Sequence, residues 1–287
     1  MSGPLLVTGG TGYLGHELLR QARGRAPAAT YLTTEPGATG QITWLRLDVR
    51  DERAVRKAFE RLRPAAVIHT AYRQDDRATT LDGSVAVARA AAAAGARLVH
   101  LSTDVLFDGT KRGAYLEDDP PSPLTEYGRA KADAEHAVLR EHPAALAVRT
   151  SLLYGGPAPS RHEIAALDAA AGRTEISFFD DELRSPIVVA DLAAALLELA
   201  ERDDAGVLHV AGADTVSRYE FSCLIAGSRG IATDRIRRGS LAGSGLRRPA
   251  NCALDSSRAQ RRLRARLHGA REWLAPEHAA GGPLRPV

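Results

Sequence analysis

Tyr127 and Lys131 stand four residues apart in Tyr127-Gly128-Arg129-Ala130-Lys131. On a helix that spacing puts both on one face. A phenol titrates near pH 10, too high to exchange protons readily at neutrality. A neighbouring ammonium stabilises the phenolate and lowers that value. Such a phenol can serve as general acid toward a carbonyl oxygen. A second candidate group, Ser102-Thr103-Asp104, follows the expected strand 97–101. In an open parallel sheet that edge binds ligands, and a hydroxyl there can hydrogen-bond the same carbonyl. The same three residue types also favour turns and helix caps.

The third group is Leu5-Leu6-Val7-Thr8-Gly9-Gly10-Thr11-Gly12-Tyr13-Leu14-Gly15. Gly10, Gly12 and Gly15 satisfy G-x-G-x-x-G, and Gly9, Gly12 and Gly15 satisfy G-x-x-G-x-x-G. Apolar residues precede the cluster and a helical pattern follows from His16, so the order is strand, tight turn, helix. A turn without side chains lets backbone N–H groups and a helix N-terminus approach a pyrophosphate. The last glycine lets the helix pack closely on its strand.

These groups need a scaffold. Strands are expected at 28–33, 41–47, 65–69, 97–101 and 146–149, with amphipathic or alanine-rich helices at 52–62, 79–94 and 124–141. Strands alternating with helices indicate a doubly wound parallel sheet. The stretch 102–122 is rich in Asp, Gly and Pro and too long for a plain connection, so it reads as a functional loop. After Gly155-Gly156-Pro157-Ala158-Pro159 the alternation weakens, with helices at 164–171, 192–201 and 219–228 and a strand at 207–210. The expected fold is α/β, a Rossmann-type doubly wound parallel sheet with a smaller C-terminal substrate-binding region. Residues 1–155 form the dinucleotide-binding domain, 156–275 the substrate-binding region with parts returning to the sheet, and 276–287 a flexible tail.

Composition narrows the function classes. Apolar content of 44% and charged content of 25% are those of a soluble globular chain. No apolar run reaches the length of a membrane span, and the N-terminus lacks the basic and apolar regions of a secretory signal. Two cysteines, Cys223 and Cys252, fit a reducing cytoplasm. A net charge of +3 and the absence of aromatics among the C-terminal arginines argue against nucleic acid. No metal site is expected, and the sequence leaves a homo-oligomer open.

Four stretches together, 8–15, 101–109, 127–131 and Arg248-Pro249-Ala250-Asn251-Cys252-Ala253-Leu254-Asp255, span nearly the whole chain in a characteristic order. In them the chain resembles the extended short-chain dehydrogenase/reductases, and within these the dTDP-4-dehydrorhamnose reductase group. The resemblance implies a catalytic set of Thr103, Tyr127 and Lys131. It implies cofactor contacts from Gly9, Thr11, Gly12, Tyr13, Leu14 and Gly15, from Thr33 and Thr34, from Asp48 and Val49 near the adenine, and from Thr70, Ala71, Tyr72, Leu101 and Lys131. It puts Asp104, Val105, Arg184, Arg248 and Asn251 in the sugar-nucleotide region. There are departures. Val105 stands where the group commonly has tyrosine, His69-Thr70-Ala71 replaces Asn-Ala-Ala, Asp82 or a neighbour corresponds to an asparagine, and Cys252 often corresponds to serine.

The expected activity is hydride transfer to the keto group of a nucleotide-linked 4-keto-6-deoxy sugar. The alternatives are a ketoreductase on a substrate without a nucleotide, an epimerase or dehydratase that retains NAD, and a non-catalytic dinucleotide-binding subunit of another enzyme. NAD enzymes usually carry an acidic residue at the end of the second strand. Here that position reads Thr33-Thr34, Glu35 lies a step further, and no arginine follows immediately. The expected cofactor is NADPH, with NADH as the alternative. Fluorescence titration should show tighter binding of NADPH than of NADH. Thr33→Asp or Thr34→Asp should shift the preference toward NADH by repelling a 2′-phosphate. A tenfold preference of the parent for NADH would overturn this reading.

Overall fold

The computed structural model describes residues 3–22, 24, 26–37 and 41–275; the expected flexible tail, 276–287, lies outside the described residues. The N-terminal elements are β1 (Leu5–Thr8), α1 (Tyr13–Gln21), β2 (Ala28–Tyr31), β3 (Thr43–Arg46), α2 (Glu52–Leu62), β4 (Ala66–His69), α3 (Arg77–Thr80), α4 (Asp82–Ala93), β5 (Arg97–Leu101), α5 (Glu126–Glu141) and β6 (Leu146–Arg149). There follow β7 (Leu153–Tyr154), α6 (Arg161–Ala170), β8 (Ser177–Phe179), β9 (Leu183–Arg184), β10 (Ile187–Val188), α7 (Val189–Leu199), β11 (Gly206–His209), β12 (Val216–Ser217), α8 (Arg218–Ser228), β13 (Arg237–Gly239), α9 (Ser257–Arg262) and α10 (Ala270–Trp273).

Seven strands form one parallel sheet in the order β11-β6-β5-β4-β1-β2-β3. The order reverses between β1 and β4, and such a switch point leaves a crevice at the carboxyl ends of the strands. β1 and β4 are buried along their whole length, as central parallel strands covered on both faces must be. One face packs on α1 and α7 through Leu14, Leu18, Leu192 and Leu196. The other packs on α2, α4 and α5 through Val55, Phe59, Val87 and Val138. No helix among the described residues is long and apolar enough to cross a membrane.

Two glycines decide how closely helices approach the sheet. A Cβ on Gly15 would lie 2.3 Å from the Gly9 carbonyl oxygen, so only glycine lets α1 fold back onto the turn that precedes it. A Cβ on Gly128 would lie 2.4 Å from the Val105 carbonyl oxygen, so α5 presses against the segment following β5.

The structure departs from the sequence expectation in short pieces. The helix expected at 79–94 breaks at Leu81 into α3 and α4, where the Ser84 hydroxyl takes the Thr80 carbonyl at 2.7 Å. Such back-bonding bends helices. β7, β8, β9, β10, β12 and β13 have only two or three residues each, too short for any periodicity to show. Within the loop 102–122, Leu106, Phe107 and Tyr115 join Ala211 and Leu254 in a small core.

Gly15→Ala should destabilise the fold by roughly 1–3 kcal/mol, because the obstructing atoms are backbone and cannot swing away. Gly227→Ala, a helical position with open space around it, should instead stabilise by up to about 1 kcal/mol. Urea denaturation midpoints compare the two; equal midpoints would remove the close-approach argument.

Candidate active site

The carboxyl ends of β1, β4, β5 and β6 open onto one cavity of about 650 Å³. Gly9, Gly12, Tyr13, Leu14 and Gly15 line one wall. Thr70 and Tyr72 follow β4, Leu101 ends β5 and Ser102 through Val105 follow it, and Tyr127 and Lys131 enter from α5. Arg184, Arg218 and Arg248 close the far end. Residues distant in sequence thus meet where the strand order reverses.

The glycine wall is a cradle. α1 begins at Gly12 without a side-chain cap, so no side chain takes the first-turn N–H groups. A Cβ on Gly12 would sit 3.2 Å from the Gly9 oxygen. Tyr13 is anchored at its tip, where its hydroxyl accepts a bond from Gly156 N at 2.8 Å. Burial and the nearby Glu163 carboxylate push its pKa up.

His69 holds this wall in place. The Ser84 hydroxyl donates to Thr80 O, so Ser84 Oγ accepts from His69 Nε2 at 3.0 Å. Nδ1 is then the acceptor, at 2.7 Å, for the Thr8 hydroxyl. Thr8 Oγ1 receives the N–H groups of Thr70 at 3.2 Å and Ala71 at 3.4 Å. The imidazole is neutral: burial, helped by the charge of Lys131, brings its pKa down to about 3. This chain ties the residues after β4 to the end of β1, where the glycine turn starts.

The opposite wall carries the proton chemistry. Thr125 caps α5 by accepting Gly128 N at 3.0 Å, which sets Tyr127 in the first turn and Lys131 one turn further. Tyr127 is partly buried, its ring 5.8 Å from that of Tyr72. Burial raises its pKa, Tyr72 and Asp104 add to this, and a hydrogen bond with the Thr103 side chain opposes it. Lys131 is 4% exposed. Its Nζ donates to Leu101 O at 2.6 Å and lies 5.7 Å from the Tyr72 ring centroid. Burial lowers the ammonium to about 8, with Glu135 opposing. The sequence argument had Lys131 lowering the Tyr127 pKa. In the structure the phenol instead rises, because burial outweighs any help from a lysine bonded to a strand-end carbonyl.

Several expected site residues lie elsewhere. Asn251 is no wall of the cavity: its amide donates to Lys111 O at 2.9 Å and Gly113 O at 2.7 Å and accepts from Ala253 N, tying down the 102–122 loop. Arg184 reaches the cavity, but three of its five donors go to Leu183 O, Glu182 and Pro249 O. Asp104 lines the cavity while accepting the Ser151 hydroxyl at 2.6 Å, and burial raises its pKa. Thr11 and Ala71 do not line the cavity, Val49 is buried beneath Gly83, and Asp48 is paired with Arg50 at 2.7 Å. Thr33 and Thr34 are exposed past the end of β2, outside the cavity.

The sequence reading missed Arg161, His162 and Arg218. Arg218 opens α8, and its Nη1 is buried without a hydrogen-bond partner among the described residues. Burial and the crowd of Arg184, Arg248 and Arg161 bring it down to about 10. The signal was present: Ser160-Arg161-His162-Glu163 and Ser217-Arg218-Tyr219-Glu220 are both Ser-x-x-Glu helix starts with arginine in first position. Together these arginines make the far end of the cavity cationic, with Glu182 and Asp104 the facing carboxylates.

A parallel sheet with its switch point beside β1, a glycine cradle there and a Tyr-x-x-x-Lys pair across the same cavity define the extended short-chain dehydrogenase/reductase class. The family model described as RmlD substrate binding domain matches residues 3–276, and the chain belongs to that family. It is 34% identical over 247 residues to the dTDP-4-dehydrorhamnose reductase of Mycobacterium tuberculosis, covering 81% of this chain and 78% of that one. It is 30% identical over 280 residues to methionine adenosyltransferase 2 subunit beta of Pongo abelii, covering 88% and 80%. The dTDP-4-dehydrorhamnose reductase of Bacillus anthracis, solved in complex with NADP, superimposes with a TM-score of 0.80 at 25% identity, covering 96% of this chain and 98% of that one.

Lys131 titrates near 8 when folded and near 10.5 in its ordinary state. Between these values the unfolded chain binds more protons, so this residue's contribution to stability rises with pH across the window. The stability difference between the parent and Lys131→Met should therefore change by up to about 3 kcal/mol in the parent's favour from pH 7.5 to 10.5. Urea titrations of both proteins check this; a flat difference would mean that the ammonium is not held in a desolvated place.

Proposed function

We propose that the protein is a cytoplasmic NADPH-dependent reductase acting on the keto group of a nucleotide-linked 4-keto-6-deoxy sugar. The observation that carries this is the meeting of Thr103, Tyr127 and Lys131 on one cavity with the glycine cradle facing them. The reductase relatives in Mycobacterium tuberculosis and Bacillus anthracis, the latter with NADP, support the substrate class and the cofactor. In this reading residues 1–155 serve the dinucleotide and 156–275 the sugar nucleotide.

The cradle fits a dinucleotide: Gly9, Gly12 and Gly15 line it without side chains, and among the described residues the first turn of α1 has no side-chain cap. The turn 9–15 would hold the phosphates, and Lys131, Thr70 and Tyr72 the nicotinamide half. When bound there, a reduced nicotinamide supplies the hydride for the carbonyl carbon. Thr103 orients the carbonyl oxygen, and Tyr127 gives that oxygen its proton, so the product is an alcohol and the tyrosinate regains a proton from solvent. The raised pKa keeps Tyr127 in its proton-bearing form at neutral pH. Lys131 supplies positive charge near the tyrosinate as it forms. At the far end Arg161, Arg218 and Arg248 suit a diphosphate, since guanidinium–phosphate bonds are charge-assisted and often bidentate.

A second reading, a non-catalytic subunit of another enzyme, draws on the 30% identity to methionine adenosyltransferase 2 subunit beta. The Thr103, Tyr127 and Lys131 grouping favours the reductase. Tyr127→Phe separates the two. It removes one oxygen and leaves the ring, so turnover with a nucleotide-linked keto sugar should fall about 10²- to 10⁴-fold, with KM and coenzyme affinity nearly unchanged. Activity within about threefold of the parent would refute the catalytic role, and a parent without turnover across a panel of such sugars would favour the subunit reading.

A further inference from the structure

The sequence shows no arginine immediately after the second strand, yet the structure brings one there from the third. β2 and β3 pair in parallel with Tyr31 opposite Arg46, the last residue of each. Side chains alternate along a strand, so Arg46 shares a face with Trp44. That face carries the glycine turn: a Cβ on Gly10 would meet the Trp44 ring at 2.8 Å, and the Tyr31 and Trp44 rings pack edge to face. The exposed Arg46 guanidinium reaches across, its Nε donating to Leu32 O at 3.3 Å. It therefore hangs beside Leu32-Thr33-Thr34, about twenty residues beyond the glycine turn, where a dinucleotide's adenosine ribose is held in a sheet of this order.

We propose that Arg46 binds the 2′-phosphate of NADPH and sets the preference for it over NADH. The proposal rests on the dinucleotide-dependent reading above. No ion pair ties Arg46 to a carboxylate among the described residues, so its terminal N–H groups are free for a planar, bidentate grip on a dianion. The nearest rival differs in this respect: Arg50 is clamped by Asp48 at 2.7 Å and by Asp76 at 3.2 Å. The exposed Thr33 and Thr34 add donors without adding negative charge. A charged residue on β3 also guards an edge strand against pairing with another chain; that role alone predicts no discrimination between the two coenzymes.

Isothermal titration of the 287-residue chain with NADPH and NADH tests this without relying on turnover. Arg46→Ala should weaken NADPH by about ten- to a hundredfold and leave NADH within about twofold, while Arg46→Lys should fall between parent and alanine. The unchanged NADH affinity reports that the variant is folded. NADPH affinity within about threefold of the parent in Arg46→Ala, or an equal loss for both coenzymes, would overturn the role of Arg46 while leaving the reductase reading intact. A parent that binds neither coenzyme would overturn both.

Discussion

A buried ammonium is costly unless something accepts its protons, and Lys131 is held against Leu101 O at the end of β5. The rest of the site follows from this contact. It draws α5 onto the sheet, and the approach is close enough that position 128 must be glycine beneath the Val105 carbonyl. Tyr127, one turn back on the same helix, is thereby set beside Thr103 and against Tyr72. Glu135, one turn further on, lends negative charge to the lysine while holding Arg149 at 2.6 Å, which anchors α5 to β6.

Burial, helped by the charge of Lys131, also keeps the histidines around it neutral. His69 and His100 stack with ring centroids 5.4 Å apart, and both titrate far below neutrality because they are buried and because Lys131 is near. Only one positive group is tolerated there. The neutral His69 is therefore available as a donor at one nitrogen and an acceptor at the other, and it links Ser84 on α4 to Thr8 on β1. In this way His69 ties the segment after β4 to the end of β1, where the glycine turn begins.

Across the cavity the polarity changes. The glycine wall offers backbone N–H groups, the α5 wall a phenol and a hydroxyl, and the far end several arginines against two buried carboxylates. Two phosphate-bearing ligands, one against the glycine wall and one against the arginines, with a reducible carbonyl where they meet, match that sequence of environments. The arrangement needs the C-terminal half of the chain, because α6 and α8 bring Arg161 and Arg218 to the cavity from their first turns.

The sequence by itself determined the elements with strong local signals. The glycine turn between β1 and α1, the periodic helix 52–62 and the strands 97–101 and 146–149 appear where local pattern put them, because backbone sterics and hydrophobic period act within a few residues. The Tyr-x-x-x-Lys pair was legible for the same reason. What the tertiary structure decided concerns residues whose partners are far along the chain. Asn251 became a loop tie through Lys111 and Gly113, and Arg46 came to the end of β2 by strand pairing. The upward shift of the Tyr127 pKa came from burial and not from its helical neighbour. Burial, cross-strand register and charge crowding depend on which distant segments pack together, and no local spacing encodes them.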